Sequence, residues 1–107
     1  MRISQDHDVQ TVMVTYDVSF GTYEELMGIL SSTYKDHLAK QDGFIGAAIH
    51  VNEAKTRVAS YSQWDTREHF LSVLRSEHMQ AVNRKLADLS KGFEPVLYEI
   101  KQVYSVT

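Results

Sequence analysis

Two extended runs joined by a short polar turn lie at the centre of the sequence, and they constrain the fold more than any other feature. The first, FIGAAIHV, begins at Phe44, and the second, TRVASYSQW, ends at Trp64. Both alternate with a period of two residues, and the polar turn at residues 52–55 pairs them as a β-hairpin. Neither face of this hairpin is plainly polar. We therefore expect both faces of the resulting sheet to be covered.

The alternation also assigns each hairpin residue to a face of the sheet. We expect Trp64 to share a face with Ser60 and Ile49. The opposite face includes Phe44, Ala48 and Tyr61. With these side chains, we expect it to be unusually apolar for the bare surface of a monomer.

A strand and a helix are predicted before the hairpin. Alternating apolar residues indicate a strand over residues 10–18. Thr22 and Glu25 have the spacing of a capping box, which predicts a helix that runs from there to Gln41. The Asp42-Gly43 pair then supplies the turn into the hairpin.

Two helices and a strand are predicted after the hairpin. Asp65 and Glu68 form a second capping box that opens a helix, and a further helix begins near Ser76 and is stopped by Lys91-Gly92. The sequence VLYEIKQVYSV after Pro95 predicts the last strand, because proline can begin a strand without donating to its ladder.

The element order predicts one α+β domain of the ferredoxin-like type. The order βαββαβ places helices on one face of a four-stranded antiparallel sheet, with a polar lead over residues 1–9 and the domain proper over residues 10–104. The other face of the sheet is left bare, and we expect two subunits to pack these faces together as a homodimer. The alternative is a wet, ligand-binding sheet face, although the aromatic and basic signature of nucleic-acid readers with this fold is missing.

Composition excludes several classes of function. Eleven basic against fourteen acidic side chains give a formal charge of −3, which disfavours nucleic acid and anionic membranes as partners. No cysteine is present to form disulfides, thiolate zinc sites or iron–sulfur ligands. The N-terminal stretch MRISQDHDVQ lacks the apolar core of a secretory signal, and no run reaches the length of a membrane span, so we expect a cytoplasmic protein.

Motifs for metals, nucleotides and covalent catalysis are also missing. Five histidines occur, at positions 7, 37, 50, 69 and 78, without an HxH or HExxH spacing. His50 lies within a predicted strand, where it either titrates near neutral pH or forms a hydrogen bond across the dimer interface. No GxGxxG, P-loop or GxSxG motif is found. We therefore expect no cofactor, and any redox chemistry must draw its electrons from the substrate.

Trp64, the single tryptophan, has two interpretations that the sequence alone leaves open. It is either a core anchor beneath a helix or one wall of a pocket between sheet and helices. In the second case the small side chains of Ala47, Ser60 and Ser62 leave room beside the indole ring.

The segment GFIGAAIHVNEAKTRVASYSQWDTREHF resembles the antibiotic biosynthesis monooxygenase family. The match consists of the Gly-Phe pair that opens the second strand, His50 near its end, the Tyr-x-Gln-Trp motif that ends at Trp64, and the capped helix that follows. The resemblance extends from about residue 10 to 104, and it implies a dimeric α/β barrel. It is strongest to the small anthrone oxygenases of aromatic polyketide pathways, which use molecular oxygen without metal, flavin or haem.

The resemblance implies a set of site residues and some departures. Trp64 matches the family tryptophan, and Arg84 matches an arginine used near the pocket. Ser60 replaces an asparagine, whereas Ile49 and Phe70 replace two tyrosines, so an amide and two phenols are lost. Haem-degrading relatives have a tryptophan and a ligating histidine at the positions of Val73 and Asn83, which disfavours haem. Quinol-oxidising relatives have histidines at the positions of Val73 and His78.

The leading hypothesis is a homodimeric, cofactor-independent monooxygenase that oxidises a small aromatic, quinol or anthrone-type substrate with O2. Its catalytic residues are expected to be Trp64, Ser60 and Arg84. The expected substrate-binding residues are Ile49, His50, Ser62, Phe70, Val73 and His78. One alternative is a dimer of the same fold that binds or isomerises a hydrophobic small molecule without oxidising it. A third possibility is a structural dimerisation module.

Overall fold

The computed structural model describes residues 9–104 and residue 106, so the polar lead over residues 1–8, with His7, lies outside the described residues. The described chain folds as βαββαβ with a split second helical segment, and this confirms the predicted ferredoxin-like class. The elements are β1 (Gln10–Asp17), α1 (Tyr23–Asp36), a 3₁₀ turn (Leu38–Lys40), β2 (Phe44–Val51), β3 (Arg57–Trp64), α2 (Arg67–Leu74), α3 (Glu77–Leu89) and β4 (Gly92–Tyr98).

The four strands form one antiparallel sheet in the order β2-β3-β1-β4. Strand β3 lies between β1 and β2, and its register places Ser60 beside Val14 on one side and beside Ile49 on the other. Opposite residues on neighbouring antiparallel strands lie on the same face of the sheet. The helix-facing side of β3 therefore carries Ser60, Ser62 and Trp64, as the alternation predicted.

A β-bulge near the start of β2 overturns the predicted orientation of Phe44. The register shifts between Phe44 and Gly46, so Phe44 lies opposite Trp64 whereas Gly46 lies opposite Gln63. The extra residue moves Phe44 to the helix-facing side, where its ring meets the edge of Trp64. The prediction that Phe44 shares the bare face with Ala48 and Tyr61 was wrong.

The starts of the helices differ in part from the capping boxes that the sequence suggested. Thr22 precedes α1 but makes no capping hydrogen bond to it, because its hydroxyl instead accepts from the backbone N–H of Ser19 at 3.3 Å. Thr66, rather than Asp65, caps α2 by accepting from the backbone N–H of His69 at 3.1 Å. Helix α3 begins where it was predicted, and Ser76 caps it by accepting from the backbone N–H of Met79 at 3.2 Å.

The ends of three elements also differ from the predicted bounds. Helix α1 ends at Asp36, and the 3₁₀ turn fills the rest of the segment predicted as helix. Gly92 does not stop α3, because it is the first residue of β4. Pro95 lies inside β4 opposite Val14, which an edge strand allows because one side of its backbone needs no partner. The strand predicted to continue beyond Tyr98 is irregular over residues 99–104, and Ser105 lies outside the described residues.

Gly43 fixes the approach of the chain to the hairpin. Its φ of +87° is the left-handed conformation that the predicted turn requires. A side chain there would overlap Asp65 and His69, which follow β3, and the Gly43 carbonyl accepts from the Asp65 N–H at 2.8 Å. The two ends of the hairpin are thus held together by a position that only glycine fits without strain.

Two clusters of buried side chains fill the space between sheet and helices. The first contains Trp64, Phe70, Val73, Met79, Leu38 and Val12. The second contains Tyr16, Leu26, Leu30, Val58, Leu86 and Val18. Val14, Tyr34 and Val82 pack against both clusters and join them. Within the described part of the chain, none of the helices has the length and apolar character needed to cross a bilayer.

Candidate functional site

An enclosed cavity of about 70 Å³ lies where the two clusters meet, between the sheet and the helices. Aliphatic and aromatic side chains form most of its walls. The polar side chains in its lining are Tyr16, Thr33, Tyr34, Ser60, Ser62 and Asn83, with the indole of Trp64. No acidic, basic or histidine side chain lines the cavity among the residues described. Its walls are therefore apolar with a few neutral hydrogen-bonding groups, which is the usual character of a small-molecule site.

Strand β3 supplies the tryptophan and the two serine hydroxyls of this cavity. Trp64, Ser60 and Ser62 are 1%, 2% and 4% exposed, respectively. The indole Nε1–H of Trp64 donates to Ser62 Oγ at 3.1 Å, and this bond fixes the plane of the ring. Phe44 and Phe70 hold the indole at centroid distances of 5.3 and 5.7 Å. Trp64 is thus both a core anchor and a wall of the cavity.

Tyr34 of α1 is the residue of the site that the sequence did not single out. Its phenol oxygen is hydrogen-bonded to Ser60 Oγ, across 26 residues of sequence. Burial raises the pKa of Tyr34, although hydrogen bonds to Ser60 and Ser62 act in the opposite direction. The phenol therefore stays protonated at neutral pH and can donate a hydrogen bond. The sequence signal was its place on the apolar face of α1, four residues after Leu30.

An open groove of about 450 Å³ lies on the other side of Tyr34, between α1, the 3₁₀ turn and β2. Its floor consists of Ala47, Ala48 and Ile49, and its sides include Phe44 and Lys35. Tyr34 lines both this groove and the cavity. Its ring therefore forms the partition between the two spaces.

The structure brings together part of the predicted substrate-binding set. Phe70 and Val73 of α2 line the cavity and complete its apolar wall next to Trp64. Ile49 lies opposite Ser60 in the sheet, but it lines the outer groove instead of the cavity.

Three predicted site residues lie away from the cavity. His50 is exposed near the end of β2. Arg84 is exposed on α3 and is not part of the cavity lining, although the next residue toward the N-terminus, Asn83, is. His78 is exposed at the start of α3, where its ring packs on that of His37 with a centroid distance of 3.9 Å.

The His37–His78 pair occupies a separate crevice between the end of α1 and α3. Burial lowers the pKa of His37, and the neighbouring His78 lowers it further, so the neutral ring is favoured. Among the described residues, no group of three or more histidine, aspartate or glutamate side chains could hold a metal ion.

The pKa of a second histidine, His69 in the first turn of α2, is shifted in the opposite direction. His69 Nδ1 lies 2.7 Å from Asp65 Oδ1. This hydrogen bond raises the pKa of His69 and lowers the pKa of the Asp65 carboxyl. Because both side chains are about half exposed, the pair contributes little to stability.

The sheet face opposite the helices carries buried polar atoms without partners. Thr11 and Gln63 lie opposite each other on β1 and β3, and they are 4% and 0% exposed. Thr11 Oγ1 and Gln63 Oε1 have no hydrogen-bond partner within residues 9–104 and 106. Gln63 Nε2 donates to the Tyr61 hydroxyl at 3.3 Å.

Several solved structures share this fold over nearly the whole chain. SnoaB, a cofactor-independent oxygenase from Streptomyces nogalater, is 20% identical, with a TM-score of 0.80 over 90% of this chain and 96% of that protein. The monooxygenase from the Streptomyces coelicolor gene ActVA-Orf6, in complex with nanaomycin D, is 19% identical, with a TM-score of 0.79 over 94% and 95%. A conserved protein from Methanosarcina mazei is 18% identical, with a TM-score of 0.80 over 89% and 95%.

Sequence identities of 18–20% to the solved structures show a shared fold and no more. The family is therefore assigned from the sequence. No curated protein matches this chain. The sequence profile of the antibiotic biosynthesis monooxygenase family, however, matches residues 10–85, which include every strand and helix from β1 to most of α3. The chain therefore belongs to the antibiotic biosynthesis monooxygenase family.

Proposed function

We propose that this chain is a cofactor-independent monooxygenase that oxidises a small aromatic, quinol or anthrone-type substrate with O2 beside Trp64. The observation that carries the proposal is the cavity itself. It is largely enclosed and apolar, and the neutral hydroxyls of Ser60 and Tyr34, which are hydrogen-bonded to each other, line it together with Trp64. Membership in the family and the fold shared with cofactor-independent SnoaB support the reaction class.

With an anthrone as the substrate, oxidation converts its CH2 group into a quinone carbonyl. Loss of one C–H proton gives an anionic enolate, which transfers one electron to O2 and forms a substrate radical and superoxide. The two radicals combine through a new C–O bond, and the peroxide takes up a proton. Loss of the second C–H proton and cleavage of the O–O bond release water and leave the carbonyl. One oxygen atom enters the product and the other enters water, so the four electrons come from the substrate.

The protein's part in this sequence is electrostatic. An enclosed apolar space excludes water, which strengthens each hydrogen bond to a developing oxyanion. The hydroxyl of Ser60 is the donor placed to bind the enolate oxygen. Trp64 holds the flat face of the substrate, and Ser62 keeps the indole in position through the Nε1 hydrogen bond. Phe70 and Val73 complete the apolar wall.

We also propose that two copies pack through the faces of the sheet opposite the helices. The half-buried apolar side chains of this face support this, because an apolar patch gains stability when another surface covers it. Met13, Ala48 and Tyr61 would supply the apolar contacts of the interface. A second copy would present the same groups in the same register through a two-fold axis.

The second candidate function is binding or isomerisation of a hydrophobic small molecule without oxidation. One observation favours it: the described residues that line the cavity include no carboxylate or imidazole to act as a general base. In this case a ligand would bind beside Trp64 with no consumption of oxygen.

Oxygen uptake distinguishes the two functions. Under the first, the protein accelerates quinone formation from a dithranol-like anthrone in air and not under argon. Ser60→Ala is then expected to lower the rate at least about tenfold, since removal of a positioned oxyanion donor has that order of effect or more. Trp64→Phe is also expected to lower the rate, because a smaller ring holds the flat face of the substrate less well. Ser72→Ala, on the exposed side of α2, is the matched control. Ser60→Asn, which restores the family amide, is expected to raise the rate.

Thermal stabilisation by the same anthrone under argon, without oxygen uptake in air, would instead support the binding function. An absence of both turnover and stabilisation across a panel of aromatic compounds would contradict both.

A further inference from the structure

The cavity is too small for the substrate class proposed above. It measures about 70 Å³, whereas a protein cavity of about 150 Å³ is known to hold one benzene ring. An aromatic substrate can therefore enter only if a wall moves.

The wall most suited to move is the ring of Tyr34. Of the residues that line the cavity, Tyr34 also lines the groove of about 450 Å³ on the other side. Most of the remaining walls on the sheet side belong to β1 and β3, the two central strands of the hydrogen-bonded sheet, which are costly to displace. Two others, Phe93 and Pro95, belong to the edge strand β4 and do not border the groove. Tyr34, by contrast, is a single side chain whose rotation needs no change in backbone.

Hydrogen bonding to the serine hydroxyls of β3 holds the Tyr34 ring in the closed position, and Ser60 is its main partner. The phenol oxygen is hydrogen-bonded to Ser60 Oγ, and the ring packs beside Phe44 with centroids 6.4 Å apart. On its other side the groove is open and mostly apolar, with the small side chain of Ala47 on its floor. A ring that swings away from Ser60 loses this hydrogen bond and opens the cavity into the groove.

We propose that Tyr34 is the gate that determines which substrates reach Trp64, with Ser60 as its latch. This inference rests on the proposed function for the identity of the substrate, but the gate itself is a property of binding. With the latch closed, only very small molecules fit the cavity. With it open, one aromatic ring lies against Trp64 and the rest of a larger substrate extends into the groove over Ala47. Release from Tyr34 also frees the Ser60 hydroxyl to bind a substrate oxygen.

The single tryptophan provides a direct readout of entry. Trp64 is the only tryptophan in the chain and lines the cavity, so its fluorescence reports a ligand that arrives there. The probes are phenol, 1-naphthol and dithranol, which have one, two and three rings, and they are added under argon so that no turnover occurs. Association rates come from stopped-flow quenching and dissociation constants from titration, with N-acetyltryptophanamide as the correction for absorption by the probe.

Three variants test the gate. Tyr34→Phe and Ser60→Ala each remove the latch, and each is expected to raise the association rate for dithranol about threefold to tenfold, the effect of one hydrogen bond. Tyr34→Phe keeps the Ser60 hydroxyl for the substrate and is expected to raise the affinity by the same factor. Tyr34→Ala removes the partition, so it is expected to raise the affinity for dithranol more than the affinity for phenol. Tyr23→Phe is the matched control, since Tyr23 is a half-buried tyrosine of the same helix that lines neither space.

Unchanged association rates and affinities for all three probes in Tyr34→Phe and Ser60→Ala would overturn the gate. A uniform change for all probes in Tyr34→Ala would overturn its role in size selection. Should Tyr34→Ala fail to fold by circular dichroism, the other two variants still decide. Binding under argon needs no oxidation, so the variants can confirm the gate even if the protein consumes no oxygen. Oxygen consumption without any effect of the latch variants on binding would instead support the proposed function and overturn the gate.

Discussion

The two faces of strand β3 bury their polar side chains in different ways. On the helix-facing side, Ser60 is bonded to Tyr34, and Ser62 accepts from Trp64. On the opposite side, Gln63 is fully buried with its Oε1 unpartnered among the described residues, and so is Thr11 Oγ1 on the neighbouring strand. Tyr34 of α1 and the indole of Trp64 thus pair the two serine hydroxyls of the first face. The polar atoms of the second face are buried without such pairing among the described residues.

This difference separates a site from an interface. A face whose polar groups are paired within one chain can enclose a cavity and stay folded while a ligand enters. The opposite face lacks such pairing among the described residues, and its half-buried apolar side chains, Met13, Ala48 and Tyr61, gain stability when another surface covers them. The same eight-residue strand therefore contributes to the proposed substrate site on one side and to the proposed dimer on the other.

The largest expected effect is the loss of the indole on the helix-facing side. Trp64→Ala removes a side chain that is 1% exposed and leaves a cavity in the first cluster, so it is expected to lower the free energy of unfolding by about 3–5 kcal/mol. Urea unfolding followed by circular dichroism measures this. Tyr61→Ala, on the half-buried opposite face, is expected to cost less in the monomer. Equal losses at low protein concentration would break the distinction between the two faces.

The next effect concerns the opposite face. Met13→Lys places a charge in the middle of that face and is expected to weaken a dimer by about 2 kcal/mol or more, roughly 30-fold in the dissociation constant. Light scattering after gel filtration would then show the mass fall from twice 12.3 kDa toward 12.3 kDa. Ser32→Lys adds the same charge on the exposed side of α1 and is expected to leave the mass unchanged. A wild-type protein that is already monomeric would contradict the proposed interface.

A smaller effect compares a paired hydroxyl with an unpaired one. Ser62→Ala leaves the buried indole N–H of Trp64 without its acceptor and is expected to cost about 1–2 kcal/mol. Thr11→Val keeps the shape and removes a hydroxyl that has no partner in the described chain, so monomer stability is expected to stay the same or rise. Chemical unfolding at low concentration measures both. A loss for Thr11→Val that appears only at high concentration would show that a second copy binds this hydroxyl.

The helix-facing residues of β3 were predictable because strand alternation is strict wherever no residue is inserted. The period of two placed Ser60, Ser62 and Trp64 together without any knowledge of the fold. Phe44 was misplaced because the bulge adds one residue, and Gly46 within the strand was the only local signal of it. A period of two residues does not reveal an inserted residue that has no partner on the neighbouring strand.

Tyr34 was missed for a different reason. Its bond to Ser60 joins residues 26 apart, and the contact depends on where α1 lies over the sheet. Helical spacing shows that Tyr34 faces the core, but it does not show which strand residue the phenol meets. The residue that caps α2 was ambiguous in the sequence, since Asp65 and Thr66 are adjacent and both can accept a hydrogen bond. In the structure Thr66 accepts from the backbone N–H of His69, whereas Asp65 is hydrogen-bonded to the ring of His69. Tertiary contacts thus decided what local patterns left open.

The smallest expected effect is the response of the two helix-facing tyrosines to alkali. Burial raises the pKa of Tyr16 and of Tyr34 above the ordinary value near 10, so their neutral forms favour the folded state. This stabilisation is fully present below about pH 10 and is lost as the pH rises from there toward the folded pKa, because the unfolded chain releases these protons first. Urea unfolding between about pH 8 and 11 is expected to show stability falling at the upper end. Tyr34→Phe is expected to make that fall shallower, while Tyr23→Phe leaves it unchanged. The same slope in Tyr34→Phe as in the wild type would show that the phenol reaches solvent in the folded protein, and the closed partition between cavity and groove would then be wrong.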